Sequence, residues 1–128
     1  MLKRCRECGI TATTKDGLKH FLKDPSSKHG VKSICTNCNR DYLFRKKYGI
    51  TLPEYNNMLD SQSGMCKICN SDKAGGRYGR FHVDHCHNTG KVRGLLCHNC
   101  NRAIGMMNDD ISVLKNAIIY LSEFQKEN

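Results

Sequence analysis

Four pairs of cysteines, each pair separated by two residues, constrain the fold of this chain more than any other feature of its sequence. A two-residue spacer allows both thiolates of a pair to face one tetrahedral ion, and two such pairs complete a four-cysteine structural zinc site. The sequence therefore predicts two structural Zn²⁺ ions, one in each half of the chain. The eight predicted ligands are Cys5, Cys8, Cys35 and Cys38 in the first half, and Cys66, Cys69, Cys97 and Cys100 in the second.

The cysteine usage and the N-terminus together indicate a compartment. No apolar segment follows Met1, so no secretory signal is predicted. Nine cysteines without such a signal indicate metal ligation in a reducing compartment rather than disulfides. Buried or redox-active cysteines are the alternative, but four regular pairs in two similar frames favour metal. No apolar run of about 18 residues is present, so we expect no membrane span and a cytoplasmic location.

The charge balance indicates a polyanionic partner. The chain has 21 Lys and Arg residues against 12 Asp and Glu residues, a formal charge of +9, and such an excess is typical of proteins that bind nucleic acid. Eight thiolates with two Zn²⁺ ions would bring the metallated chain nearer to +5. Hydrophobic residues make up only 38% of the chain. Structural zinc would supplement this thin core, since it contributes about 10–16 kcal/mol of apparent binding energy to folding.

The first half of the chain is predicted to be a separate zinc-binding module that contacts DNA. We place this N-terminal module at residues 1–49 and the second module at residues 50–128. Residues 39–48 are predicted to form a short basic helix, and Gly49 is its expected C-cap. A capping box at residues 51–54 then opens a second helix.

The two halves share a local motif. Cys35-Thr-Asn-Cys-Asn-Arg in the first half resembles Cys97-His-Asn-Cys-Asn-Arg in the second. This repetition indicates that the halves are built on related zinc frames. The first half nevertheless has no Asp-His pair between its cysteine pairs. We therefore interpret it as a structural and DNA-binding duplicate without catalysis.

Between its cysteine pairs, the second module is predicted to contain a hairpin. A basic glycine-rich loop at residues 73–80 precedes a strand at residues 81–85, and a turn leads to a returning strand at residues 92–96. A short helix that carries Asn101 should follow Cys97.

A final amphipathic helix is predicted after this short helix. Asp110 or Ser112 would cap it, and Asp109 is expected to belong to the same helix start. We expect its apolar stripe to be core, and a partner surface is the alternative. The stripe consists of Ile111, Leu114, Ala117, Ile118, Leu121 and Phe124.

The residue types best suited to metal binding and catalysis lie in His82-Val-Asp-His-Cys-His87, together with Asn101. The Asp84 carboxylate and the Asn101 amide are hard oxygen ligands that suit Mg²⁺ with retained waters and phosphate oxygens. A neighbouring imidazole could deprotonate a water for attack on phosphorus. The alternative is a third zinc site formed by His82, Cys86 and His87, although Asn101 and the complete cysteine sets argue against it.

The segments Asp84-His-Cys-His87 and Gly90-Lys-Val-Arg-Gly-Leu-Leu-Cys-His-Asn-Cys-Asn101 resemble the His-Asn-His (HNH) nucleases of the ββα-metal, or His-Me finger, fold. They are most similar to the recombination endonuclease VII family of bacteriophage junction resolvases. The resemblance implies a small zinc-stabilised α+β fold, with a ββα-metal nuclease core preceded by the N-terminal four-cysteine zinc module. It also implies an HNH-type DNA endonuclease that acts on branched or duplex DNA, in the cytoplasm of a bacterial or phage-infected cell.

The resemblance assigns roles to individual residues. It implies that His85 is the general base, and that Asp84 and Asn101 bind the one catalytic Mg²⁺ or Mn²⁺ ion. It implies that His87 is a second active-site histidine, which contacts a phosphate or aids the leaving group. Cys86 departs from the family's best-known member, which has an acidic residue there, and we expect no catalytic role for it. The resemblance also allows a homodimer.

Two groups of basic side chains are expected to contact DNA. The first is Arg45, Lys46 and Lys47 at the end of the predicted basic helix; a solvated helix end is the alternative. The second group lies near the predicted hairpin and consists of Arg77, Arg80 and Arg93. For Arg93, a position near the scissile phosphate and pairing with a carboxylate are both open. A non-catalytic zinc-dependent DNA-binding module and a zinc-built protein-interaction adaptor are the alternative functions.

Overall fold

The computed structural model describes residues 1–125 and contains two compact units, Met1–Asn57 and a second that begins at Met58. The division falls inside a helix that spans Leu52–Ser61. A functional boundary between residues 49 and 50 stays a prediction. None of the helices in the described part of the chain has the length and apolar character needed to cross a membrane.

The first unit is built from two small hairpins and a helix. Its antiparallel strand pairs are β1 (Lys3–Arg4) with β2 (Thr11–Ala12), and β3 (Phe21–Lys23) with β4 (Val31–Cys35). A 3-10 helix at Asp16–His20 precedes β3, and helix α1 (Thr36–Tyr48) follows β4 directly. The core is small and includes two of the predicted zinc ligands. Its buried members are Cys5, Ala12, Phe21, Val31, Ile34 and Cys35.

The ends of the first two helices follow the signals in the sequence. Gly49 has a φ of 70°, a left-handed conformation that glycine adopts without steric cost, and its N–H donates to the Arg45 carbonyl. The prediction that α1 ends there is confirmed. Helix α2 (Leu52–Ser61) begins after Thr51, whose hydroxyl accepts a hydrogen bond from the Glu54 N–H at 3.1 Å.

The second unit contains the predicted hairpin and short helix. Strand β5 (His82–His85) pairs antiparallel with β6 (Val92–Leu96), and helix α3 (His98–Met106) follows after Cys97. Residue pairing runs from His82 opposite Leu96 to Asp84 opposite Gly94, and then shifts so that His85 lies opposite Val92. Arg93 is therefore an extra residue on β6. Such a bulge redirects the side chain of the extra residue and is common beside active sites.

Gln62 fixes β6 from its outer side, a role that no sequence pattern predicts. Its amide oxygen accepts from the Leu95 N–H at 3.0 Å, and its amide nitrogen donates to the Leu95 carbonyl at 2.9 Å. The side chain thereby replaces a neighbouring strand at this position. Leu95 itself is fully buried, with 0% exposure, and its carbonyl also accepts from the Lys67 N–H at 3.1 Å, so the backbone polar groups of this buried residue are satisfied.

The expectation that the last helix supplies core is wrong for most of its stripe. In α4 (Ile111–Gln125), Ile111, Ile118, Leu121 and Phe124 are 55–69% exposed, and only Leu114 and Ala117 are half-buried. The physical reason is a shortage of apolar surface to receive the helix. The cluster around Cys97 has only a few other members, which are Cys66, Leu96, Phe81, Cys100 and Ile104.

The N-cap of α4 is Asp110 rather than Ser112. The Asp110 carboxylate accepts hydrogen bonds from the Ser112 and Val113 N–H groups at 2.9 and 3.3 Å, and from the Ser112 hydroxyl. These bonds lower the pKa of Asp110, that with the Ser112 hydroxyl most of all. Asp109 is free of the capping role expected for it.

Candidate active site

Each half of the chain brings four cysteine sulfurs together, as the spacing predicts. In both groups all four sulfurs lie within 4.8 Å of one another. The Cys8 and Cys35 sulfurs are 3.8 Å apart, as are those of Cys69 and Cys97. Tetrahedral zinc with Zn–S bonds of about 2.3 Å requires a sulfur separation of about 3.8 Å. Both groups therefore have the donor set and the geometry of a structural zinc site.

Backbone N–H groups surround the sulfurs and favour thiolates. The Cys5 sulfur accepts from the Cys35 N–H at 3.3 Å. Burial alone would raise the pKa of Cys5, but hydrogen bonds from Cys8, Cys35 and Glu7 outweigh it and lower the pKa to about 6. In Cys38, burial and the neighbouring thiols raise the pKa instead. The raised pKa shows that four adjacent thiolates repel one another. A Zn²⁺ ion between them would supply the positive charge that offsets this repulsion.

Cys97 joins the zinc frame to the hairpin and the helix. It follows the last residue of β6, its sulfur belongs to the four-cysteine group, and it caps α3 by accepting from the Cys100 N–H at 3.4 Å. Cys35 does the same at the start of α1, with the Cys38 N–H as donor at 3.4 Å. This confirms that the two halves share a local frame.

Asp84 and Arg93 form the closest charged pair of the hairpin. The Arg93 guanidinium donates to both Asp84 carboxylate oxygens, from Nε at 2.7 Å and from Nη2 at 2.9 Å. The Asp84 side chain is 12% exposed. These hydrogen bonds raise the pKa of Arg93 above its usual value, so it stays cationic. Of the two expectations for Arg93, the structure therefore has it paired with a carboxylate.

Asp109 joins this pair, although the sequence had suggested a helix cap. Its Oδ2 accepts from Arg93 Nη2 at 3.2 Å and lies 3.8 Å from His87 Nε2. No local sequence signal predicts this contact, because it depends on the short turn between α3 and α4. Asp109 thus connects Arg93, which holds Asp84, to one of the two candidate active-site histidines.

The histidines of the hairpin divide into two groups. The ring centres of His85 and His87 are 5.0 Å apart. Both residues follow Asp84 closely in the sequence. His82 instead meets His98 of α3, with 3.3 Å between their Nε2 and Nδ1 atoms. His82, Cys86 and His87 do not form the alternative third zinc site. Within residues 1–125, only the two four-cysteine groups gather three or more such ligand atoms.

Asn101 lies at the start of α3, as expected. It is half-buried, and its N–H donates to the Cys97 carbonyl at 3.0 Å. The helix packs against both strands of the hairpin, so the helix that carries Asn101 lies against the strand that carries Asp84. A carboxylate and an amide oxygen would suit Mg²⁺ or Mn²⁺. The catalytic roles of Asp84, His85, His87 and Asn101 remain predictions.

An exposed aromatic side chain, which the sequence analysis did not single out, lies among the basic residues of the loop before β5. Tyr78 is 70% exposed, and the guanidinium carbons of Arg77 and Arg80 are 5.5 and 5.4 Å from the centre of its ring. The base of the loop is anchored, because the buried Ala74 accepts a hydrogen bond from the His98 N–H at 2.8 Å. The loop therefore presents two cations and an aromatic face to solvent.

The end of α1 has a similar character. Lys46 and Lys47 lie over the rings of Tyr42 and Tyr48, respectively. Arg45 differs from them, since its Nε pairs with Asp41 at 2.8 Å. The lysines are thus freer than Arg45 to meet a polyanion.

The chain is similar in sequence to a known protein family and to phage proteins. The sequence model of the family described as recombination endonuclease VII matches residues 41–123. The chain is 49% identical to the Gene 59 protein of Mycobacterium phage D29 over 122 residues, 93% of this chain and 73% of that protein. It is 48% identical to the Gene 59 protein of Mycobacterium phage L5 over 75 residues, 58% of this chain and 44% of that protein.

A solved structure also resembles the chain. The crystal structure of the ββα-Me type II restriction endonuclease Hpy99I is similar with a TM-score of 0.42 and 22% sequence identity. The similarity covers 94% of this chain and 64% of that enzyme, so the chain spans less than two thirds of its length.

Zinc content tests the two cysteine frames. We expect two zinc ions per purified chain after dialysis, measured by elemental analysis, because both groups have zinc geometry. Cys100→Ser should reduce the value to one, since it removes a sulfur from the second group. Cys86→Ser is the matched control and should retain two, because Cys86 belongs to neither group. A wild-type value of one or less would remove one of the proposed sites.

Proposed function

The chain belongs to the recombination endonuclease VII family, and we propose that it is a DNA endonuclease that hydrolyses phosphodiester bonds with one divalent metal ion and a histidine general base. Family membership supports DNA endonuclease activity. The observation that carries the proposal is a ββα unit beside a four-cysteine group, in which β5 bears Asp84 and His85 and the packed helix α3 bears Asn101. Similarity to phage proteins supports action in the cytoplasm of an infected bacterial cell.

Each residue has a separate task in the proposed reaction. Asp84 and Asn101 would hold Mg²⁺ or Mn²⁺ through oxygen atoms. When bound, the ion supplies Lewis-acid stabilisation of the charge that develops on the phosphate. His85 accepts the proton of the attacking water. His87, beside it, contacts the phosphate or assists the leaving group.

Substitution of the general base tests this assignment. His85→Ala should retain zinc and DNA binding, while the cleavage rate falls by roughly 10²–10⁴, the usual range for a lost general base. Asn101→Ala should also impair cleavage, with partial recovery at high Mg²⁺, because it removes a metal ligand. His20→Ala is the control, since His20 is an exposed residue of the first unit.

The outcome also separates the proposal from its alternative. If the His85→Ala variant cleaves DNA at the wild-type rate in a single-turnover assay, His85 is not the general base. A wild-type protein that binds DNA and never cleaves it would instead be a zinc-dependent DNA-binding module.

We place DNA contacts on the cations that face solvent in each unit. In the second unit these are Arg77 and Arg80, whose loop also offers the Tyr78 ring. In the first unit, Lys46 and Lys47 are the best candidates, and Arg45 is a weaker one because of its pair with Asp41. Arg93 is committed to Asp84 in this structure, so we assign it to the site rather than to general DNA binding. Phosphate contacts of this kind position a protein on DNA without reading sequence.

The salt dependence of binding measures the first-unit contacts. Each lost phosphate contact should make the slope of log K against log salt shallower by about 0.9 on duplex DNA. We therefore expect a shallower slope for the double variant Lys46→Gln/Lys47→Gln in fluorescence anisotropy titrations. Lys15→Gln/Lys19→Gln removes the same charge elsewhere in the unit, where Lys19 already pairs with Asp16 at 3.1 Å. Equal slopes for the two double variants would eliminate a specific DNA role for Lys46 and Lys47.

We further propose that a second copy of the chain covers α4. Seven large apolar side chains of this helix are exposed, and they are Ile111, Val113, Ile118, Ile119, Tyr120, Leu121 and Phe124. A patch of this kind commonly marks an interaction site. A helix of 15 residues is about 22 Å long, which gives an antiparallel pair of such helices room for a continuous apolar contact.

The mass in solution tests the homodimer. Light scattering should give a mass twice the 14.5 kDa of one chain. Ile118→Glu should reduce the measured mass to that of a single chain, because a buried unpaired charge opposes association. Ile68→Glu is the matched control, since Ile68 is an exposed isoleucine outside α4. A wild-type protein that stays monomeric at tens of micromolar would contradict the proposal.

A further inference from the structure

Asp109 is a carboxylate at the candidate site to which the family resemblance gives no role. We propose that it is a positioning residue for the catalytic metal ion: it balances the charge of Arg93 and fixes Arg93 across the carboxylate of Asp84. This inference rests on the proposed function, because it takes Asp84 as a metal ligand. Asp109 would act through Arg93 and not through contact with the substrate.

The contacts place one guanidinium between two carboxylates. Arg93 Nη2 is 2.9 Å from Asp84 Oδ1 and 3.2 Å from Asp109 Oδ2, while Nε holds the other Asp84 oxygen at 2.7 Å. The β-bulge supplies the position of Arg93, since it is the extra residue of β6. Asp109 therefore limits where the guanidinium can lie, and the guanidinium orients the Asp84 carboxylate.

The turn before α4 is shaped to present Asp109. Asn108 and Asp109 have φ values of 56° and 54°, in the left-handed region that side chains other than Asn and Asp rarely adopt. The Asp109 N–H donates to the Ile104 carbonyl at 2.9 Å. The neighbouring Asp110 caps α4, so the two aspartates have separate tasks.

The charges indicate why a metal site would need Asp109. A divalent ion beside Asp84 would also lie near the Arg93 cation, and the two positive charges repel. With Asp109, the three side chains Asp84, Arg93 and Asp109 carry a net charge of −1. Without it their net charge is zero, and the attraction for a cation falls. The Asp109 carboxylate should therefore raise the affinity of the site for a divalent ion.

Two isosteric substitutions of adjacent aspartates test the inference. The full-length, zinc-replete protein is titrated with Mn²⁺ by calorimetry and by electron paramagnetic resonance, without DNA. Asp109→Asn should weaken Mn²⁺ binding by about tenfold or more, as substitutions of residues that support metal ligands commonly do. Asp110→Asn removes the same charge one residue away, and since asparagine is also a good N-cap, it should leave the affinity unchanged. Asparagine tolerates left-handed backbone, so both variants should keep the wild-type zinc content and thermal transition.

A double substitution separates positioning by Arg93 from a general loss of negative charge. In an Arg93→Gln background, Asp109→Asn should weaken Mn²⁺ binding by a clearly smaller factor than in the wild type, because positioning through Arg93 is already lost and only the change in net charge remains. Equal Mn²⁺ affinity in the wild type and Asp109→Asn would overturn this inference alone, if Asp84→Asn abolishes binding. Absence of Mn²⁺ binding and of cleavage in the wild type would overturn the proposed function as well.

Discussion

Cys97 is the residue at which the zinc frame, the hairpin and the helix of the candidate site meet. Its sulfur lies in a four-cysteine group, its backbone continues β6, and its side chain caps α3. The apolar core around it is small, so a metal ion bound by four thiolates would replace the hydrophobic contacts that a larger domain uses. The relative position of Asp84 on the hairpin and Asn101 on the helix depends on this junction.

The first unit has the same arrangement of strand, capping cysteine and helix, but without the candidate site residues. Cys35 ends β4 and caps α1 with nearly the same backbone angles as Cys97, and Asn39 occupies the position that corresponds to Asn101. Its hairpin, however, has Phe21 opposite Cys35 and no Asp-His pair. The two units therefore share the backbone geometry of the cysteine group, while the hairpin of the first unit lacks the Asp-His pair that we propose to act in the second.

Sequence predicted the parts of this fold that depend on local chemistry. The cysteine spacing, the glycine end of α1 and the two strands of the ββα unit follow from residue type and order, and the structure confirms them. It did not predict the bulge at Arg93 or the contact of Asp109, since both depend on strand register and on a turn between two helices. The sequence does not predict the exposure of α4. An apolar stripe indicates that a helix packs against another surface, but it does not indicate whether that surface belongs to the same chain.

We propose that the ββα unit beside the second four-cysteine group cleaves DNA with a divalent ion separate from the structural zinc. To test this, the zinc-replete protein is incubated with plasmid, mismatched and four-way branched DNA, with and without Mg²⁺, and the ends of the products are mapped. We predict cleavage that requires Mg²⁺ while the zinc content stays at two per chain. If folded protein with two zinc ions binds these substrates and cleaves none of them, with either Mg²⁺ or Mn²⁺, the chain is not a metal-dependent DNA endonuclease.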